Sequence, residues 1–355
     1  MNQIIMTIMA AGAILGGIDR IMGNRLGYGQ KFEEGFLYLG PTALSMVGII
    51  CLAPLISSTL GAVIVPLYQM MGVDPAMFGG ILAIDMGGYQ LSMELALDPV
   101  MGRYAGIVVA AVFGCTIVFV IPVGMEMIEK EDQPVFARGI MLGLAAMPVV
   151  FLVGGLLCGL SLAEIIHQNL PVLMVSLLLA LGLFYIPVKM VRGFGIFAFL
   201  IKVLITVGLV LAAVSYMTGI TILPGMAPIE EAMAVVSSIG VVLLGSLPVT
   251  ELLQRILKRP CTVLGRRIGL DNVSILGLMV CIVSVIPVFT MLKDMNRKGK
   301  LVNVAYMVSM TAMLAAHLGF TAGTEPDMLT ALLAAKTAGG VTAVVLALAV
   351  TERSC

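Results

Sequence analysis

Asp85 stands near the middle of an apolar stretch, Ala76-Met77-Phe78-Gly79-Gly80-Ile81-Leu82-Ala83-Ile84-Asp85-Met86-Gly87-Gly88-Tyr89-Gln90. An ionisable side chain at bilayer depth costs about 2.5 to 3.5 kcal/mol on insertion scales, so a carboxylate kept there points to a bound ligand or an internal ion pair. Tyr89 follows at i+4, on the same face of a helix, and Gln90 adjoins it. An anion beside an aromatic ring suits a small ammonium ion, through charge pairing and cation–π attraction. Gly87-Gly88 directly after the acid predicts an interrupted helix whose unwound turn offers backbone donors and acceptors. The bland alternative pairs Asp85 with an internal cation such as Arg138 or Lys336, or makes it the cap of a broken helix.

Other polar groups divide between site and scaffold. Glu33 and Glu34 read as opening a helix, where they complement its positive end, and Glu34 is also a candidate ligand for a cation. Glu94 and Asp98 continue the Asp85 segment toward its end. Glu251 is placed to pair with Arg255 at i+4. The run His317-Leu318-Gly319-Phe320-Thr321-Ala322-Gly323-Thr324-Glu325-Pro326-Asp327 is the polar hotspot of the second half. Its hydroxyls, Thr321 among them, suit an amine or an alcohol, while Thr324 equally reads as the cap of a helix starting near Pro326. His167 reads as a loop residue and His317 as a packing residue. No phosphate loop, His-Glu-x-x-His or Gly-x-Ser-x-Gly occurs, so no catalytic residue, metal ligand or cofactor is expected.

The elements that must position these residues are membrane helices. Hydrophobic residues make up 60% of the 355 and charged residues 11%, with a mean hydropathy of +1.11. Apolar windows long enough to span fall near 3–22, 35–57, 76–96, 102–124, 136–160, 170–188, 194–222, 231–253, 272–292, 301–322 and 327–350, which predicts an all-α polytopic membrane protein of about eleven helices. The segment 58–71 is left unassigned. The first window lacks a basic leader and a small-residue cleavage site, and reads as a retained helix. Lys plus Arg equal Asp plus Glu at 20 each, which gives no pull toward nucleic acid. The six cysteines are scattered without metal-ligand spacing and read as small buried hydrophobes.

A weak internal repeat organises the chain. Phe32-Glu33-Glu34-Gly35-Phe36 falls on Ile229-Glu230-Glu231-Ala232-Met233, and Gly72-Val73-Asp74 on Gly269-Leu270-Asp271, both at a shift of 197. The expected division is a first transmembrane repeat over 1–160, a connecting helix over 161–193 and a second repeat over 194–355. Arg25 and Lys31 precede the first acidic pair whereas an apolar stretch precedes the second, an asymmetry that suits inverted repeats. Basic clusters at 255–267 and 293–300 flank the single window 272–292; if both are cytoplasmic, that window or its neighbour is re-entrant. Pro287 marks a second helix break, in the half opposite Asp85. Interrupted spans in corresponding halves place a binding site between the repeats.

Gln30-Lys31-Phe32-Glu33-Glu34-Gly35-Phe36, Leu52-Ala53-Pro54-Leu55, Ala83-Ile84-Asp85-Met86-Gly87-Gly88-Tyr89, Thr116-Ile117-Val118-Phe119 and Leu318-Gly319-Phe320-Thr321-Ala322-Gly323 together resemble the ethanolamine permease of bacterial ethanolamine-utilisation operons. The resemblance runs from the first helix to the last. It implies a multi-pass protein of the bacterial cytoplasmic (inner) membrane that takes up ethanolamine for a cytosolic ammonia-lyase pathway, and it carries over no site residues. A primary ammonium with one hydroxyl matches the independent reading of Asp85, Gly87, Gly88, Tyr89, Gln90, Glu34 and Thr321 as substrate-binding residues. The partners expected are ethanolamine and the lipid bilayer, with no nucleic acid; homo-oligomer formation and the coupling ion stay open. The alternatives are an ion-coupled symporter of another small polar solute and a non-transporting membrane anchor subunit.

Overall fold

Gly72 and Gly269, both at positive φ (66° and 78°), each end a long helix and are each followed two residues later by an aspartate that organises the next turn. The computed structural model in which this is seen describes residues 2–82 and 87–352. Its first part runs α1 (Asn2–Ile21), α2 (Tyr28–Leu37), α3 (Leu39–Met70), α4 (Ala76–Leu82), α5 (Gly88–Leu95) and α6 (Pro99–Arg103). π-helical stretches at Tyr104–Gly114 and Thr116–Val120 then lead into α7 (Ile121–Met127), α8 (Gln133–Ala145) and α9 (Met147–Leu157). A bent pair, α10 (Leu162–Gln168) and α11 (Leu170–Tyr185), leads to α12 (Pro187–Thr218), α13 (Ile229–Arg267), α14 (Asn272–Cys281) and α15 (Ile286–Met291). α16 (Arg297–Met310), α17 (Ala316–Thr324) and α18 (Leu329–Glu352) close the chain, and every regular element among the described residues is helical.

The all-α polytopic membrane architecture is as the composition predicts, while the count of eleven spans is not reproduced among the described residues. Seven helices among the described residues are long and apolar enough to cross a membrane, and α10–α11, bent by 49°, makes an eighth. The windows at 272–292 and 301–322 fall instead on pairs of short helices, α14–α15 and α16–α17, and the described residues within 76–96 form α4 and α5. The unassigned segment 58–71 is largely the continuation of α3, which accommodates Pro54 and Pro66. Three local expectations also change. Glu33 and Glu34 lie in the middle of α2, because the helix already starts at Tyr28 after left-handed Gly27. His167 sits in α10, which Ser161 and Glu164 start with a reciprocal capping box. Thr324 ends α17 and returns its hydroxyl to the Phe320 carbonyl rather than capping the next turn.

Small residues set the closest helix crossings. α1 packs on α13 and α12 packs on α3. A Cβ on Gly12 would strike the Gly245 carbonyl, and one on Gly48 would strike the Ile205 carbonyl. Lipid gives apolar helices no hydrophobic reason to associate, so backbone approach at glycines supplies the van der Waals contact instead.

The turns entering the short helices are held by carboxylates. Asp74 accepts the Ala76 amide at 2.8 Å and the Asp98 amide at 3.0 Å. Asp271 accepts the Ser274 amide at 2.7 Å and the Asn296 amide at 2.5 Å. Each thereby ties the start of its short helix to the chain that leads into a later one. Burial lifts the Asp74 carboxyl above its usual range, with the amides of Ala76, Asp98 and Leu97 opposing. At Asp271 burial acts in the same sense, but the donors around it prevail and hold the carboxyl low.

Candidate functional site: a junction of broken helices

α14 stops at Cys281 and α15 resumes at Ile286, with Pro287 in its first turn, where a missing N–H is harmless. The break expected at Pro287 is therefore present, over Ile282–Val285. A second break, unmarked by proline or glycine, separates α16 from α17 at Thr311–Ala315. The two interruptions satisfy each other: the Ala312 amide donates to the Cys281 carbonyl at 3.3 Å and the Leu314 amide to the Ile282 carbonyl at 3.0 Å. Backbone freed from helical bonding inside a membrane needs such partners, because hydrocarbon supplies none. Ala312 takes φ 55° to make the turn.

Two features flank this junction. On one side, Val280, Val283, Ser284 and Pro287 form part of the wall of a cavity of about 260 Å³, together with Glu34, Tyr38, Thr250, Glu251 and Gln254. Its two carboxylates are already engaged, Glu34 with Lys31 at 2.5 Å and Glu251 with Arg255 at 2.7 Å. The second pair is the one expected from the i+4 spacing, and the Arg255 guanidinium also lies 4.6 Å over the Tyr28 ring. An incoming ammonium would exchange with these cations rather than meet a bare anion.

The other feature is buried. Lys336 of α18 has no solvent exposure, and its Nζ lies 2.9 Å from the Ala111 carbonyl and 3.0 Å from His317 Nδ1. The same Nδ1 is 3.0 Å from the carbonyl of Thr311, the residue at which α16 unwinds. His317 and Thr321 line a small cavity with Phe320, Ala111 and Gly106.

A family model described as "Ethanolamine utilisation protein, EutH" matches residues 1–350. The chain belongs to the EutH family. A "Probable ethanolamine permease EutH" of Listeria monocytogenes is 41% identical over 353 residues, 99% of this chain and 95% of its own length. The protein of the same name from Escherichia coli is 37% identical, covering 98% and 95% of the two chains. The "Uncharacterized protein YxeR" of Bacillus subtilis is 39% identical, covering 96% and 93%. No solved structure matches. This EutH-family chain is accordingly a multi-pass membrane protein of a family named for ethanolamine utilisation.

The residues singled out in the EutH-family sequence fall in separate places. Asp85 lies outside the described residues. Gly87 and Gly88 are buried, Gly87 as the N-cap and Gly88 as the first residue of α5. Tyr89 donates its hydroxyl to Glu325 at 2.7 Å and meets Phe320 edge-on at 5.5 Å. Tyr89 also packs on Gly106, which lines the small cavity, so Tyr89 and Thr321 belong to one neighbourhood. Gln90 reaches Glu94 at 3.4 Å. Glu34 lines the larger cavity and not this one.

Sequence reasoning missed the break at Thr311–Ala315 and the association of His317 with Lys336. One signal was available: Lys336 interrupts Leu329-Thr330-Ala331-Leu332-Leu333-Ala334-Ala335, and a lysine inside a membrane helix is by default a functional candidate.

Proposed function

We propose that this chain is a permease of the bacterial cytoplasmic (inner) membrane that takes up ethanolamine for catabolism. The observation that carries the reading is a family match along the whole chain, to relatives named as probable ethanolamine permeases, in a protein whose interrupted helices bond to one another. Interrupted helices are how membrane proteins expose backbone groups to a polar solute while keeping them off lipid. In this reading Asp85 is the counter-ion of the substrate ammonium, with the Tyr89 ring, Thr321 and the residues around Gly87-Gly88 completing the site and Glu34 acting on the way in.

The reading includes two related units, 1–160 and 194–355, joined by 161–193. Gly48 and Gly245, each struck by a backbone carbonyl of a facing helix, stand 197 residues apart, as do Gly72 and Gly269 before their capping aspartates. These coincidences support a repeat whose halves exchange their first helices, α1 against α13 and α12 against α3.

Purified protein in liposomes, given labelled ethanolamine, tests the reading. Uptake should exceed that of protein-free vesicles and should be competed by unlabelled ethanolamine. Flux equal to empty vesicles would reject it. D85A should lower uptake by at least about tenfold, the scale of one lost charge-assisted contact; unchanged uptake at equal protein content would remove Asp85 from the site.

A further inference from the structure

His317 Nδ1 faces a hydrogen-bond donor and an acceptor at the same distance, Lys336 Nζ and the Thr311 carbonyl, each at 3.0 Å. A neutral imidazole nitrogen either carries a proton and donates, or lacks one and accepts. It serves one partner at a time. With Nδ1 bare, it accepts from the Lys336 ammonium and gives the Thr311 carbonyl nothing. With Nδ1 protonated, it donates to the Thr311 carbonyl, and Lys336 fits beside it as the neutral amine.

We infer that Lys336 and His317 form a proton-exchange site, in which loss of one proton from the pair is coupled to arrival of the substrate ammonium in the neighbouring Tyr89–Thr321 region. The step balances as a relay: one proton passes from Lys336 Nζ to His317 Nδ1 while the proton on Nε2 leaves the ring. Ammonium and Nε2–H imidazole become amine, Nδ1–H imidazole and one free proton. Among the described residues, the remaining titratable groups acting on the ammonium are the thiols of Cys115, between the π-helical stretches, and Cys281, at the end of α14. The cavity beside His317, about 10 Å³, is on the scale of a single water.

The coupling follows from charge and from the backbone. Two cations close together in a low-dielectric interior repel strongly, so a substrate ammonium beside Thr321 favours the amine form of Lys336. The same change clamps the Thr311 carbonyl, whose segment is bonded through Ala312 and Leu314 to the break in α14. The substrate cation and the proton therefore alternate, and uptake carries no net charge. The choice of ethanolamine as that cation rests on the permease reading; the proton site does not.

The chain has two histidines, so 15N-histidine NMR of an H167Q background reports His317 alone. Nδ1 should change from acceptor type to N–H type as pH rises, without the ring becoming cationic. K336R, which keeps its charge, should hold Nδ1 as an acceptor at every pH, and K336M should abolish the change. An unchanging tautomer in the wild type, or one indifferent to both substitutions, overturns the site. In liposomes, wild-type ethanolamine uptake should be insensitive to an inside-negative potential and K336M uptake should rise several-fold with it. Equal stimulation of both overturns the coupling. A wild type that shows the tautomer change but moves no ethanolamine rejects the permease reading and upholds the proton site.

Discussion

Gly12 of α1 lies so close to the Gly245 carbonyl of α13 that no side chain fits between them. Gly48 of α3 and Gly208 of α12 repeat the relationship across the molecule. Because the obstructing atoms are backbone, relief requires the helices to part. G245A and G48A should each destabilise the protein by about 1 to 3 kcal/mol, the usual range for overpacking. G17A, five residues beyond Gly12 with open space around it, should be neutral or stabilising by up to about 1 kcal/mol. Thermal unfolding in detergent distinguishes them, and a Tm for G245A equal to wild type would show that this crossing is looser than described.

Ala312 holds φ 55° at the centre of the second helix break. A left-handed conformation costs a residue with a Cβ about 1 to 2 kcal/mol, and costs glycine far less. A312G should therefore raise Tm and leave uptake intact, whereas A312V, β-branched, should lower both. A312G that behaves like A312V would mean that the methyl group, not the backbone angle, matters there.

The two turn aspartates should respond to acid in opposite senses. Asp271 titrates lower in the folded than in the unfolded chain, so its stabilisation is complete above the ordinary carboxylate range and is lost as pH falls through the folded value. Asp74 titrates higher when folded, so acidification through its folded value favours the native state. The Tm gap between wild type and D271N should narrow as pH falls, and the gap between wild type and D74N should widen. Parallel slopes would contradict the assignment.

These contrasts also show which parts of the molecule local sequence could reveal. The Gly-x-Asp turns were readable because a left-handed glycine followed by a capping carboxylate is decided within a few residues. Pro287 was readable for the same reason. Thr311–Ala315 was not: its residues suit a helix, and the break depends on carbonyls of Cys281 and Ile282 about thirty positions earlier. Lys336 was visible as an intramembrane cation, yet its side-chain partner among the described residues, His317, lies 19 residues away and reads alone as packing. The start of α2 escaped notice because Gly27 begins it without a side-chain cap.

Tyr89 and Glu325 make the remaining prediction. Their 2.7 Å hydrogen bond joins α5 to the end of α17, across 236 residues of sequence, while the Tyr89 ring rests edge-on against Phe320. Y89F removes the donor and keeps the ring. E325Q keeps an acceptor and removes the charge. A hydrogen bond to a charged group contributes about 1.5 to 3 kcal/mol, so either change should alter the balance between conformations by roughly tenfold or more. With the phenol engaged by Glu325, the expected effect of Y89F is a lower maximal uptake rate with KM within about twofold, as for a tether that governs opening. The double variant should be no worse than the more severe single one, since both remove the same bond. A rise in KM at unchanged maximal rate would place the phenol on the solute instead, and additive losses would show that the two residues act apart.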